Sequence, residues 1–455
     1  MKDFRWEHPS RKSIEGTIMT KSIIIMGAAG KDFHVFNTCF RKNPQVRVKA
    51  FTATQIPWID ERPYPAELAG PYYPDGIRIF NEDDLERLIK EMSIDECVFS
   101  YSDVSYEYIA NEKARVEKAG ASFSLAPIEP CMLPSSKPVV AVVAVRTGSG
   151  KSQTTRHIRN ILNSMGKKVV AARHPMPYGE LLRQRVQRFA SIDDLRKNNC
   201  TIEEMEEYEP HIVNNTVVFA GVDYEAILRE AEKEADIILW DGGNNDIPFF
   251  KPDVYITVAD PHRAGHELTY YPGDENFKRA HVIVINKMDS APADGIKQVM
   301  DNIKKYNPKA IVVKANSPIS VEKPELIKGK KVLVIEDGPT CTHGGMSIGA
   351  GTIAAQKYGA KELIDPRPWL NDTLKETFRK YPKIGKLLPA MGYSDEQIKD
   401  LEETINATPC DTVVIGTPID LRRIVKINKP SVRAFYDLEV IGEPSLESIL
   451  KSKFK

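Results

Sequence analysis

Val139-Val140-Ala141-Val142-Val143-Ala144-Val145-Arg146-Thr147-Gly148-Ser149-Gly150-Lys151-Ser152 is the stretch that decides the fold. Its first half is a continuous apolar run, which suits a parallel strand buried on both faces. A glycine-rich turn follows, and Gln153 onward continues in a helical pattern. Gly148 and Gly150 let backbone N–H groups approach phosphate oxygens. The helix N-terminus adds favourable partial charge. Lys151 can reach the β- and γ-phosphates, and the Ser152 hydroxyl can ligate Mg²⁺. Thr147, Gly148, Ser149, Gly150, Lys151 and Ser152 are therefore the expected triphosphate cradle. The usual form of this loop begins with glycine, and here Val145 holds that place.

Working outward, short β-branched runs alternate with helical stretches almost throughout, which argues for βαβ units and parallel sheets. The fold class expected is α/β. Residues 1–20 read as an extension without the apolar core of a secretory signal, and Met19 is an alternative start. Residues 21–128 read as a Rossmann-like domain with strands at Ser22–Met26, Val46–Thr52 and Glu96–Tyr101. Pro127 to Pro138, with four prolines and two serines, reads as a linker. Residues 138–328 form the P-loop domain. Residues 329–455 are a C-terminal α/β region, either separate or completing the P-loop sheet. Within them Thr417-Pro418 offers an N-cap and a first-turn proline.

Further motifs lie where strands should end. Ile237-Ile238-Leu239-Trp240-Asp241 places a carboxylate beside the Mg²⁺. Asn244, Asn245 and Asp246 follow it. Asn286-Lys287-Met288-Asp289 after an apolar strand has the form of a guanine-reading motif, in which the aspartate accepts from the base while Asn286 and Lys287 frame the ring. Arg173-His174-Pro175, with Arg183, Arg185 and Arg188 beyond it, follows the strand after the P-loop helix. Side chains there should emerge at the carboxyl end of the sheet. An Arg/His cluster beside a triphosphate suits a polyanionic second substrate. His262, Arg263 and His266 follow another strand. Thr340 and His343 sit in a glycine-rich turn, and both groups are expected to contact substrate. Some P-loop proteins, the SIMIBI class, carry an extra lysine at the second loop position. Arg146 stands there and is expected to touch phosphates. His211 reads as structural.

The 63 Lys and Arg balance 63 Asp and Glu, so the net charge is zero. That argues against nucleic-acid and membrane-surface partners. No apolar run approaches the roughly 20 residues a membrane span needs. Six scattered cysteines without a C-x-x-C pair fit a reducing cytoplasm better than a disulfide framework.

With these residues in hand, the chain resembles the cyclic 2,3-diphosphoglycerate synthetase family and its predicted-GTPase relatives. The resemblance covers nearly all of it from about Lys21. It rests on I-M-G-A-A-G-K-D-F-H, V-R-T-G-S-G-K-S-Q-T-T-R, R-H-P-M-P-Y-G, W-D-G-G-N-N-D, the stretch Asp260 to Glu267, E-D-G-P-T-C-T-H-G-G-M and V-I-G-T-P-I-D. It implies that ATP and Mg²⁺ close 2,3-bisphosphoglycerate, a small phosphorylated acid, into a cyclic phosphoanhydride. Lys151, Asp241, Arg173, His174 and Arg146 are then the expected catalytic groups, in a homodimer. Two alternatives stay open. One is a regulatory or metallochaperone GTPase of the SIMIBI type, which Asn286 to Asp289 would favour. The other is a P-loop kinase or ligase on another small anionic acceptor.

Overall fold

The computed structural model describes residues 20–53, 62–174, 176–243, 245–342 and 346–455. Met19, Pro175, Asn244 and His343 therefore lie outside the described residues. Among the described residues the chain builds three large sheets in sequence order. The first runs, edge to edge, Pro63–Tyr64, Ile77–Asn81, Val46–Ala53, Lys21–Met26, Glu96–Phe99 and Ser122–Leu125. Its pairs are parallel except at the Pro63–Tyr64 edge.

The second sheet has nine strands with Val139–Ala144 at its centre, between Ile237–Asp241 and Val254–Ala259. All six residues of the central strand are buried. Helix Lys151–Ser164 covers one face, burying Ile158, Ile161 and Leu162 with the chain-terminal Leu446 and Leu450. Each such side chain contributes about 1.5–3 kcal/mol by leaving water. Trp240, Tyr224, Phe249 and Phe250 fill the other face.

The third sheet orders Ile319–Val321, Ser431–Tyr436, Thr412–Ile415, Lys331–Asp337 and Glu362–Leu363, with Leu388–Ala390 also on Lys331–Asp337. The C-terminal region thus has a sheet of its own. It also returns Glu439–Ile441 antiparallel onto Ile311–Asn316, the last parallel strand of the second sheet.

One local reading is corrected. No α-helix starts at Thr417-Pro418. The Thr417 hydroxyl instead donates to the Ile419 carbonyl at 2.9 Å, and only a short 3₁₀ turn, Leu421–Arg423, follows. In the first domain a helix begins at Lys31 and changes to π winding over Phe36–Phe40. No helix among the described residues is long and apolar enough to cross a membrane.

The sheets matter here for how they are aimed. Arg146, Asp241, Asp260 and Asn286 all stand at or just beyond the carboxyl ends of strands in the second sheet, where open α/β sheets hold ligands. Asp337 and Gly416 occupy the same edge of the third sheet. A two-stranded ladder of Val104–Ser105 with Tyr270–Tyr271 brings in the loop at the carboxyl edge of the first.

Candidate functional site: a cavity with two poles

One cavity of about 200 Å³ lies between the P-loop and the third sheet. Its floor is Arg146 to Ser152, interrupted at Ser149, which is buried beneath. Gly148 and Gly150 have φ of +79° and +105°, a region that favours glycine. A Cβ on Gly150 would stand 1.9 Å from Asn286 Nδ2. This closeness comes from the base motif itself. Asn286 Nδ2 donates to the Ser149 carbonyl at 3.0 Å, and Lys287 Nζ donates to the Gly148 carbonyl at 2.7 Å. The asparagine and lysine thus hold the loop from behind. Asp289 is exposed and accepts from the Ser317 N–H at 3.1 Å.

Asp241 ends its strand buried at the centre of four donors. Lys151 Nζ lies 2.6 Å from Oδ1 and Thr155 Oγ1 3.2 Å from it. Arg173 Nη1 is 2.8 Å from Oδ2, and His211 Nε2 is 3.0 Å from it. Burial alone would raise this carboxyl; the charges of Arg173 and Lys151 outweigh it and hold the group well below the usual carboxylate range. Burial lowers Lys151, with Asp241 opposing. The Lys151 ammonium beside a carboxylate kept ionised is a stand-in for a cation. With the Ser152 hydroxyl on the cavity wall, the donor set fits Mg²⁺. Among the described residues no group of three or more His, Cys, Asp and Glu is set to hold a metal.

Arg146 is tied down rather than free. Its Nε lies 2.5 Å from Asp103 Oδ1, its Nη1 2.8 Å from His266 Nδ1, and its guanidinium packs 3.6 Å over the Tyr270 ring. Asp103 belongs to the first sheet's carboxyl edge, so the N-terminal region orients a P-loop side chain. Arg263 Nη2 donates to the Thr147 carbonyl at 2.7 Å and pairs with Asp260 at 2.9 Å. His262 turns away to Ser290 Oγ at 3.0 Å. His262 and His266 thus have different partners and form no common ligand set.

Arg173 is fully buried behind the cavity wall, between Asp241 and Glu207, rather than facing the cavity. His174 lies beside it, Nδ1 3.3 Å from Arg173 Nη2, with its ring against Gly243. Burial, then the charges of Arg173 and Lys151, pull the His174 imidazole well below its ordinary value. Arg183, Arg185 and Arg188 form surface pairs with Glu180, Asp223 and Glu234.

The far wall is acidic, and the sequence reading had no place for it. Glu207, Glu336 and Asp337 line the same cavity as Lys151. Thr340 Oγ1 donates to Asp337 Oδ2 at 2.6 Å. Burial raises Asp337 to about 6 and Glu203 to about 7. Burial, then the Asp337 charge, pushes Glu206 well above the ordinary carboxyl value, and its protonated carboxyl is hydrogen-bonded to Asp337. Glu336 is satisfied differently. It accepts from the N–H groups of Gly349, Gly351 and Thr352 and from the Thr352 hydroxyl at 2.6–3.1 Å, capping helix Ala350–Lys357. The signal for this wall was the run Glu203-Glu204-Met205-Glu206-Glu207, which reads locally as a helix start: Thr201 and Glu204 do form its capping box.

No family model matches the chain. Over 431 residues, 95% of this chain and 96% of the other, it is 61% identical to a protein of Thermococcus kodakarensis described as arginine synthetase ArcE. The chain belongs to the arginine synthetase family. It is accordingly a nucleotide-dependent enzyme of the ligase or phosphoryl-transfer type, as the P-loop led us to expect. The relative is a synthetase, as the resemblance implied, but its name does not carry the cyclic 2,3-diphosphoglycerate activity. A solved structure described as apo LpxK from Aquifex aeolicus in complex with ATP covers 82% of this chain and all of its own. It aligns at 12% identity with a TM-score of 0.44, a likeness too slight to bear on fold or chemistry.

Proposed function

We propose that the protein forms arginine in a nucleotide-dependent reaction, with Mg-nucleotide at the P-loop pole and the acceptor at the carboxylate pole. The supporting observation is the polarity of the cavity: Lys151, Arg146 and Lys287 on one side, Glu207 and Asp337 on the other. A cationic or N–H-rich acceptor suits that second side, whereas a bisphosphate would meet like charge there.

In this reading, incoming phosphate draws Lys151 off Asp241, and the loop amides from Gly148 to Ser152 surround the β-phosphate. Ser152 and Asp241 would hold Mg²⁺, which neutralises charge on the transferring group. The base lies toward Lys287 and Asp289, with ATP as the nucleotide and GTP as the alternative.

The guanidino carbon of arginine is most directly reached by activating a C=O oxygen at that carbon. An O–P bond forms to the γ-phosphoryl as the P–O bond to the β-phosphate breaks and nucleoside diphosphate leaves. An amine nitrogen then attacks the carbon and phosphate departs with the oxygen. Glu207 and Asp337 orient the N–H groups, and an ionised Asp337 takes the proton the nitrogen sheds. The second reading, closure of 2,3-bisphosphoglycerate to its cyclic anhydride, draws support from Arg146 and Lys287 as cations beyond Lys151.

One assay separates the two. The protein is incubated with ATP or GTP and either the ureido analogue of arginine plus ammonium or 2,3-bisphosphoglycerate, followed by phosphorus NMR and amino-acid analysis. Arginine appearing in step with nucleoside diphosphate supports the first; turnover with the bisphosphate alone overturns it. A cytoplasmic homodimer is part of the same proposal, and light scattering on the purified chain tests the dimer.

A further inference from the structure

Arg173 sits where no acceptor touches it, yet it joins the two poles. Nη1 lies 2.8 Å from Asp241 Oδ2, while Nη2 pairs with Glu207 Oε2. Nη1 also reaches the Gly242 carbonyl at 3.4 Å, and the Tyr224 hydroxyl donates to the Arg173 carbonyl. Asp241 belongs to the nucleotide end. Glu207, on the other arm of the same guanidinium, lines the cavity. A single fully buried positive charge is thus shared between carboxylates that serve different ligands.

We propose that Arg173 is a positioning residue that couples nucleotide binding to acceptor binding; the inference rests on the acceptor reading above. Lys151 is the shortest contact of Asp241, at 2.6 Å. When nucleotide phosphate draws that ammonium away, Asp241 keeps Arg173, His211 and Thr155 as its protein partners. The guanidinium is then drawn toward Asp241 and its hold on Glu207 slackens. Glu207, less tightly held, can then accept from the N–H groups of the acceptor. Mg²⁺ held near Asp241 offsets part of that pull without replacing the contact at 2.8 Å. The coupling must be reciprocal, so the acceptor tightens nucleotide by the same factor. The planar fork of arginine can serve both carboxylates at once, which the point charge of a lysine cannot.

The test is calorimetric titration of the full chain with the ureido analogue of arginine, alone and with a non-hydrolysable ATP analogue plus Mg²⁺. The nucleotide should tighten the ureido compound about tenfold, within the usual range of such couplings. Arg173→Lys should bring that factor close to one while the ureido compound still binds. A factor of one or less in the native protein, or the full factor in Arg173→Lys, overturns the coupling and leaves the acceptor reading standing. A ureido compound that binds in neither condition overturns the acceptor reading, and the coupling with it. If Arg173→Lys does not fold, the reverse titration of the native protein decides: nucleotide affinity must rise with the ureido compound by the same factor, and an unchanged affinity rejects the coupling.

Discussion

The two ends of the cavity are built by opposite means. At the P-loop end the ligand-facing groups are mostly backbone amides, held by side chains from behind: Asn286 and Lys287 on the Ser149 and Gly148 carbonyls, Arg263 on that of Thr147. At the other end the ligand-facing groups are side-chain carboxylates, each already held by one neighbour or more: Glu207 by Arg173, Asp337 by Thr340 and Glu336 by the start of helix Ala350–Lys357. Burial raises Asp337 to about 6, and behind the lining it raises Glu203 to about 7 and pushes Glu206, which is hydrogen-bonded to Asp337, well above the ordinary carboxyl value. The loop backbone of the first end is held in place before ligand arrives, while Lys151 rests on Asp241. The second is costly to keep charged until a cation offsets it. A surface prepared for phosphate beside a carboxylate-lined one fits the proposed pairing of a phosphoryl donor with a nitrogen-bearing acceptor.

The contrast can be broken most severely at the loop. Gly150→Ala would force a Cβ against Asn286 Nδ2 in a backbone conformation glycine favours, and Lys151→Ala would remove the phosphate-reaching cation. Either should lower nucleotide turnover at least about 10³-fold with the fold intact, because charge stabilisation carries most of phosphoryl transfer. Turnover retained in Lys151→Ala would refute the P-loop assignment.

Glu207→Gln should act on the other end alone. The acceptor's KM should rise about 10–100-fold, the loss of one charge-assisted contact. Nucleotide affinity measured without acceptor should stay within about twofold, well inside a single hydrogen bond's worth. A change confined to nucleotide affinity would move Glu207 to the wrong pole. Arg173→Ala should instead harm the whole protein. It removes the buried charge shared by Asp241 and the part-exposed Glu207, a loss of about 3–5 kcal/mol that a lowered Tm would show.

The acidic end should also set a pH dependence of stability. A carboxyl whose value is raised on folding favours the fold while protonated. That contribution is present below the unfolded value of about 4 and is lost as pH rises through the folded value. For Asp337 at about 6, and for Glu203 and Glu204 at about 7, the loss falls between pH 4 and 7. Thermal melts should therefore show a Tm lower at pH 8 than at pH 5, with arginine restoring part of the difference at pH 8. A Tm indifferent to arginine would argue that no cation belongs there. The smallest effect is expected at Asp289. It is exposed and already accepts from the Ser317 N–H, so Asp289→Asn should shift the ATP-to-GTP preference by about tenfold or less, the worth of one hydrogen bond to the base.

The same contrast explains what the sequence could disclose. The loop end follows from local rules. An apolar run, glycines at fixed offsets and a lysine opening a helix are contiguous, and Asp241 and Asn286 each terminate a strand whose pattern is plain. The acidic end is assembled from residues more than a hundred positions apart, Glu207 on a P-loop-domain helix and Asp337 on a strand of the third sheet. Nothing local distinguishes Glu207 from a solvated helix face. Arg173 shows the same limit from the other side. Its strand-end position was legible, but its burial between Asp241 and Glu207 depends on a helix whose place in the fold the sequence does not state. The Asp103 contact to Arg146 was invisible too, since it joins one sheet's edge to another's loop.

The account's central claim is that phosphoryl transfer at the P-loop serves a nitrogen-bearing acceptor held by Glu207 and Asp337. The most direct measurement is nucleotide turnover by the native protein with the ureido analogue of arginine, with and without ammonium, while arginine is quantified in the same tube. The account predicts one arginine for each nucleotide cleaved, and loss of both in Lys151→Ala. Nucleotide cleaved without arginine, or cleaved only when 2,3-bisphosphoglycerate is supplied, would contradict it.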